Sequence, residues 1–291
     1  MRKNHFNSMR HPEWIKVKST GAHETKKVLR RHKVSTVCEE ARCPNQGKCF
    51  SKSTVTFMIL GDRCTRNCSF CAVESSRPLP LDPDEPERVA EAASALALKF
   101  VVITSVTRDD LPDGGAEQFA RTICAVRNKN NTLKIESLPP DFKGNIEALK
   151  TVLNARPDVF NHNVETAPRL YPAVRPQADY GTSVNILKTA KKLYPDIKTK
   201  SGLMVGLGEN EAEVLSVMHD LRDAGCDFLT IGQYLQPRRS NIQVVEYLRP
   251  ETFENYRIKG LKMGFSAVAS SPLTRSSMDA GAMFDTMKNA K

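Results

Sequence analysis

From Thr54 onward, short apolar runs alternate with amphipathic stretches, the rhythm of strand followed by helix. Strands are predicted at 54–60 (TVTFMIL), 99–106 (KFVVITSV), 132–137, 159–164, 199–205 and 228–234. One helix is predicted to open at Pro86, after the acidic Asp84-Glu85, with Val89, Ala93 and Leu96 on one face. Others are predicted near 116–127, at 145–154, 180–194 and 211–224. In the last, Val214, Val217, Met218 and Leu221 line one side, and Gly225 stands where a C-terminal cap belongs. Six such units imply a parallel sheet with right-handed crossovers, fewer than the eight strands of a closed barrel. The expected fold is therefore α/β, a partial (β/α)6 TIM-like barrel with N- and C-terminal extensions. The expected division is 1–53 as an irregular, charged extension, 54–262 as the barrel core and 263–291 as the C-terminal extension. Loops after parallel strands gather at one mouth, which brings together the segment after the first strand, Asp109–Gly115 and Asn163-Val164-Glu165.

Composition narrows the class. Hydrophobic residues make up 40% of the 291, enough for an ordinary core, and no apolar run approaches the roughly 18 residues of a membrane span. The N-terminal MRKNHFNSMR is basic but has no apolar stretch, so secretion is not expected. The net charge of +10 favours an acidic partner, with a solvated basic surface as the bland alternative. Aromatic content is 7%, with no basic–aromatic interleaving, so nothing asks for nucleic acid.

Six of the eight cysteines fall between Cys38 and Cys71, in two triplets: Cys38-x4-Cys43-x5-Cys49 and Cys64-x3-Cys68-x2-Cys71. Three thiolates on a short loop can hold three corners of a cubane iron–sulfur cluster and leave one iron open to chemistry. Structural zinc usually takes four ligands in repeated Cys-x2-Cys pairs or Cys/His mixtures, and no His lies between Cys38 and Cys71. Pooling of the two triplets around zinc remains the alternative. A disulfide framework fits less well, since clustered free thiols belong to a reducing compartment, here the cytoplasm.

The second triplet, with Phe70 before its last cysteine and a strand before the loop, resembles the signature of the radical S-adenosylmethionine superfamily. Taken with the first triplet, further segments make the chain similar to lipoyl synthases. They are 107–115 (TRDDLPDGG), 162–166 (HNVET), 199–208 (TKSGLMVGLG), 230–237 (TIGQYLQP) and Arg275-Ser276-Ser277. The resemblance implies two [4Fe–4S] clusters and S-adenosylmethionine. Cys64, Cys68 and Cys71 would hold the radical-generating cluster. Cys38, Cys43 and Cys49 would hold an auxiliary one, with Ser277 as its fourth ligand and Ser276 as the lesser choice. It further implies insertion of two sulfur atoms, at C6 and C8 of an octanoyl-lysine, the sulfur coming from the auxiliary cluster. Hydrogen removal from unactivated carbon is beyond any ordinary side chain, so the cofactor must supply it. The implied partners are octanoylated carrier domains (2-oxoacid dehydrogenase E2 subunits and the glycine cleavage H protein), an electron donor such as ferredoxin or flavodoxin, and an iron–sulfur repair protein. Neither nucleic acid nor membrane is implied.

Two departures from the family pattern stand out: Met278 follows Arg-Ser-Ser where tyrosine is usual, and 238–241 and the tail 279–291 are atypical. Gly114 and Gly115 read either as backbone contacts to the methionine moiety or as a tight turn. Asn163 and Glu165 read as contacts to the cofactor or as a strand-end polar network. Arg175 reads as a carboxylate partner or a surface residue, and His162 as a buried, hydrogen-bonded one. Cys124 and Cys226 read as small core residues. Lys16, Lys18, Lys26, Lys27, Arg30, Arg31 and Lys33 crowd the region before the first triplet and suit docking of an acidic carrier domain.

Overall fold

The computed structural model describes residues 11–16, 22–52 and 54–286. The stretch before Thr54 is not irregular, as expected, but folded: it forms α1 (His23–Arg31), β1 (Ser35–Thr36), α2 (Val37–Glu40) and α3 (Gln46–Phe50). Local chemistry accounts for this. Leu29 is fully buried, the Thr25 hydroxyl donates to the Phe50 carbonyl at 2.6 Å, and the Thr36 side chain caps α2 by accepting from the Glu39 amide. Of the basic residues before the first triplet, Lys16, Lys26, Lys27, Arg30, Arg31 and Lys33 are exposed, and Lys18 lies outside the described residues.

The barrel elements follow in order: β2 (Thr56–Ile59), β3 (Arg63–Cys64), β4 (Glu74–Ser75), α4 (Glu85–Ala95), β5 (Phe100–Ser105), α5 (Ala116–Lys129), β6 (Lys134–Leu138), α6 (Ile146–Asn154) and β7 (Val159–Asn161). Then come α7 (Tyr171–Val174), α8 (Tyr180–Leu193), β8 (Lys198–Val205), α9 (Glu211–Asp223), β9 (Phe228–Gln233), α10 (Pro250–Lys262), β10 (Ala267–Ser271) and α11 (Ala280–Asp285). The main sheet has the order β1-β2-β5-β6-β7-β8-β9-β10, with β1 antiparallel at one edge and every later pair parallel. That order follows the chain without reversal, unlike a doubly wound sheet with a switch point. Crossovers of one hand then put the helices on one face, where α4 packs on α5, α5 on α6 and α8 on α9. The sheet curls about its other face and keeps two free ends, which is the expected partial barrel.

All six expected strands are present, but β10 adds a seventh parallel strand, so the sheet runs into the stretch expected to be a C-terminal extension. Its sequence, Ala-Val-Ala-Ser-Ser, carries one bulky apolar residue and gives almost no strand signal. Helix α9 ends as its sequence requires. Asn210 and Glu213 form a capping box at its start, and Gly225 at φ +81° lets the Cys226 amide reach back to the Leu221 carbonyl. Cys226 is buried as expected, whereas Cys124 is exposed on α5, a correction to its reading as a core residue.

The core holds Phe57, Ile59, Ile103, Phe119, Leu149 and Val205, each fully buried. Each such side chain is worth roughly 1.5–3 kcal/mol relative to exposure. Two features matter for the site. Inward-facing Glu136, Asn161 and Lys200, all at most 1% exposed, make the barrel interior polar. At the opposite end from the mouth, Met283 of α11 packs with Val159 and Phe228 where β7 and β9 begin, closing the barrel from below.

Candidate active site

One cavity of about 360 Å³ opens at the C-terminal ends of the strands. Cys64, Cys68 and Cys71 line it together with Cys38 and Cys43, and Ser276 and Ser277 close its far wall. Cys49 stands behind the wall, packed against the core. Phe70, Asn163, Glu165, His162 and Arg175 also line the cavity. Five of the six clustered thiols thus share the cavity with Asn163 and Glu165, whereas Cys49 and the 109–115 segment expected at the mouth do not line it. All six thiols are free.

The loop of the second triplet is tied down from several sides. The Cys64 sulfur accepts from the Arg66 amide at 3.4 Å and the Thr107 amide at 3.3 Å. Arg66, whose side chain is 4% exposed, grips two carboxylates. Its guanidinium donates to Asp109 at 2.7 and 3.0 Å, and to Asp141 at 2.6 and 2.7 Å. Burial alone would raise the Asp141 carboxyl, but the Arg66 hydrogen bonds and charge outweigh it and hold it at about 2. Asn241 fastens the other flank, donating to the carbonyls of Ser69 at 3.0 Å and Cys71 at 2.7 Å. The sequence reading did not single out Arg66; a charged residue between two cysteines of a buried loop was the available signal.

The C-terminal segment is brought to the same wall by the first triplet and by β9. Asn45, between Cys43 and Cys49, donates to the Leu273 carbonyl at 2.6 Å and contacts the Met278 sulfur at 3.3 Å. Met278 therefore fills this contact where the family usually has tyrosine. Gly232 of β9 lets the Thr274 carbonyl approach so closely that a Cβ there would overlap its oxygen. Arg275 is half-buried with its charge near Cys43 and lines the cavity. Ser276 is engaged in hydrogen bonds, whereas among the described residues none engages the Ser277 hydroxyl.

Gly114 and Gly115 do not line the cavity. They sit at φ +62° and +91° with their backs against Phe142 and Leu60, so the geometry supports the tight-turn reading of this pair. Glu165 is held at φ +67° by a bridge to Leu203, and Asn163 donates to its carboxylate at 3.1 Å. Burial raises the Glu165 carboxyl, against the pull of Arg175. Arg175 is itself 8% exposed, a correction to any surface reading, and its buried Nε has no partner among the described residues. His162 is buried as expected, with Nδ1 3.0 Å from the Pro139 carbonyl oxygen.

Burial, and then the nearby Arg175 charge, push the His162 imidazole down to about 4. In the unfolded chain it titrates near 6.5, so its contribution to stability is complete above that pH and is lost as pH falls towards 4. A His162→Gln variant lacks that loss. The stability difference between wild type and variant, followed by anaerobic urea unfolding, is expected to shrink by about 3 kcal/mol between pH 7 and pH 4. A difference independent of pH would mean the imidazole takes up a proton in the fold as readily as in the unfolded chain.

The donor set fits iron–sulfur chemistry. Burial, then neighbouring thiols, push Cys38 and Cys71 up to about 12, because a thiolate is poorly solvated there. A cationic metal centre reverses that balance. Among the described residues no three His, Cys, Asp or Glu side chains gather as ligands of a single ion would. Arg175 lines the cavity, and its charge there suits an anionic group such as a carboxylate.

Residues 58–232 match the Radical SAM superfamily. The chain is 57% identical over 275 residues to the lipoyl synthase of Caldanaerobacter subterraneus subsp. tengcongensis, covering 94% of this chain and 96% of that one. It is 52% identical over 289 residues to the lipoyl synthase of Alkaliphilus metalliredigens, covering 98% and 100%. The chain belongs to the lipoyl synthase family. As a lipoyl synthase family member it is a radical S-adenosylmethionine enzyme, a class that uses that cofactor with a [4Fe–4S] cluster. Its fold is also that of methylornithine synthase, with a TM-score of 0.56 at 14% identity, covering 87% of this chain and 83% of that one. Streptococcus suis SuiB bound to S-adenosylmethionine shares it too, with a TM-score of 0.57 at 10% identity, covering 81% and 57%.

Proposed function

We propose that this cavity inserts two sulfur atoms, at C6 and C8, into an octanoyl chain amide-linked to a lysine of a carrier domain. In this reading Cys64, Cys68 and Cys71 hold the radical-generating cluster, and Cys38, Cys43, Cys49 and Ser277 hold an auxiliary [4Fe–4S] cluster. When bound, the first cluster and S-adenosylmethionine supply the oxidising equivalent that removes hydrogen, and the auxiliary cluster supplies sulfur. The protein's part is placement. Arg66 and Asn241 fix one thiol loop, Asn45 and Gly232 fix the serine segment, and Arg175, Asn163 and Glu165 face the cofactor. Apolar Val37, Met58, Leu138 and Met204 line the space between, suited to an alkyl chain.

The observation that carries the reading is the shared cavity: thiols of both triplets and the free Ser277 hydroxyl line one chamber. The substrates in this proposal are E2 subunits of 2-oxoacid dehydrogenases and the glycine cleavage H protein, met by the exposed basic residues of α1. Ferredoxin or flavodoxin would supply electrons and an iron–sulfur repair protein would rebuild the auxiliary cluster, all in the cytoplasm. No helix among the described residues is long and apolar enough to cross a membrane.

The test uses anaerobically reconstituted protein, S-adenosylmethionine, a strong reductant and an octanoyl-lysine peptide, followed by mass spectrometry. The peptide is expected to gain two sulfurs. Cys38→Ala should still release 5′-deoxyadenosine yet yield no sulfurated peptide. Deoxyadenosine from the wild type without sulfur transfer to any octanoyl substrate would refute the assignment.

A further inference from the structure

A continuous line of hydrogen bonds climbs from inside the barrel to its mouth. Lys200 donates to both Glu136 carboxylate oxygens, at 2.9 and 3.1 Å, and each side chain is 1% exposed. Asn161 Nδ2 donates to Glu136 Oε1 at 2.7 Å and to Ser276 Oγ at 2.8 Å. Ser276 Oγ donates to Asn163 Oδ1 at 2.9 Å, and Asn163 Nδ2 to Glu165 Oε1 at 3.1 Å.

Chemistry fixes the direction of every link. A carboxylate only accepts, so Asn161 must turn its amide nitrogen to Glu136, and its second N–H then meets Ser276. Ser276 accepts there and has one proton left, which goes to the Asn163 oxygen. That places the Asn163 NH2 against Glu165. The buried carboxylate thus dictates the sense of two amides that could otherwise flip. A buried ion pair is a weak source of stability, and apolar replacement is often neutral, so fixing orientation is the better account of this one.

We propose that Ser276 is a positioning residue: its hydroxyl joins the Lys200–Glu136 pair to Asn163 and Glu165 and orients them for S-adenosylmethionine. This rests on the reading of the cavity given above. Ser276 is then the anchor and Ser277 the ligand, two adjacent serines with different work.

The test combines S-adenosylmethionine affinity by equilibrium dialysis with Mössbauer and EPR spectra of the reconstituted clusters. Ser276→Ala strands the Asn161 donor and the Asn163 acceptor, and should weaken cofactor binding about tenfold, the cost of roughly one lost buried hydrogen bond. Ser276→Thr keeps the hydroxyl and should stay within about twofold of wild type. The double variant Glu136→Leu/Lys200→Met replaces the pair with apolar groups, should still unfold cooperatively, and should weaken binding as Ser276→Ala does. Ser277→Cys should alter the auxiliary cluster spectrum, and Ser276→Cys should leave it unchanged. Unchanged cofactor affinity in Ser276→Ala would overturn the proposal, as would an altered auxiliary spectrum in Ser276→Cys, which would make Ser276 the ligand itself. Wild-type protein that holds no second cluster would overturn the cavity reading beneath it, and is recognised before any variant is made.

Discussion

Arg66→Ala should destabilise the protein by about 3–5 kcal/mol, because it leaves Asp141 buried without its cation and Asp109 with only Lys143 at 3.9 Å. Asp141 is 2% exposed and cannot recover water, and Asp109 loses a bidentate partner at the same moment. With Arg66 gone, burial raises the Asp141 carboxyl, and its protonation on acidification should relieve part of the loss. Lysine is a poor substitute here. One ammonium cannot present the planar fork that meets Asp109 on one edge and Asp141 on the other. Anaerobic urea unfolding gives the number directly, and a loss below about 1 kcal/mol, the scale of an exposed pair, would show that water reaches the site. The same change frees the loop between Cys64 and Cys68, so on the proposed ligand set iron should be lost alongside stability.

Gly232→Ala should lower formation of the doubly sulfurated peptide by about 100-fold while 5′-deoxyadenosine is still released, the penalty of an ångström-scale misplacement. A methyl group at Gly232 would overlap the Thr274 carbonyl oxygen, and the Arg275 guanidinium lies 3.2 Å from the same point. The oxygen belongs to backbone and has no rotamer to escape into. The 272–277 segment must therefore move away from β9 and take Ser277 with it. The atoms nearest that point belong to Thr274 and Arg275 rather than to the second-triplet loop, so cleavage of saturating S-adenosylmethionine survives. Mass spectrometry of peptide and nucleoside in one assay separates the two effects. A fall of less than tenfold in sulfur transfer would show that the segment adjusts freely.

The parts of this molecule that announce themselves in sequence are those whose signal is repeated. Strands such as Val101-Val102-Ile103 and the face Val214, Val217, Met218, Leu221 of α9 follow periodic rules. The thiols carry their spacing with them, and the sheet topology then brings both triplets to one mouth. What escapes is pairing between distant positions. Lys200 and Glu136 read as ordinary polar alternation within strands, and only closure of the barrel puts them in contact. Arg66 acquires meaning only when β5 and β6 bring Asp109 and Asp141 to it. Gly114-Gly115 invites a ligand reading because glycine permits close approach, yet the approaching groups are Phe142 and Leu60. Strand β10 is missed because small residues pack under α10, where Gly260 meets Val268, without a hydrophobic run.

The wall of the cavity is drawn from both ends of the polypeptide, with Cys38 and Cys43 near its start and Ser277 beyond the last strand. On the ligand set proposed above, a ribosome must therefore make almost the whole chain before the auxiliary donors exist in one place. A nascent chain displaying only the first triplet offers three thiols without their oxygen partner and without the Leu273 carbonyl that braces Asn45. On the same proposal, delivery of iron and sulfide to that site is a post-translational event, and a chain stalled before residue 277 cannot complete it.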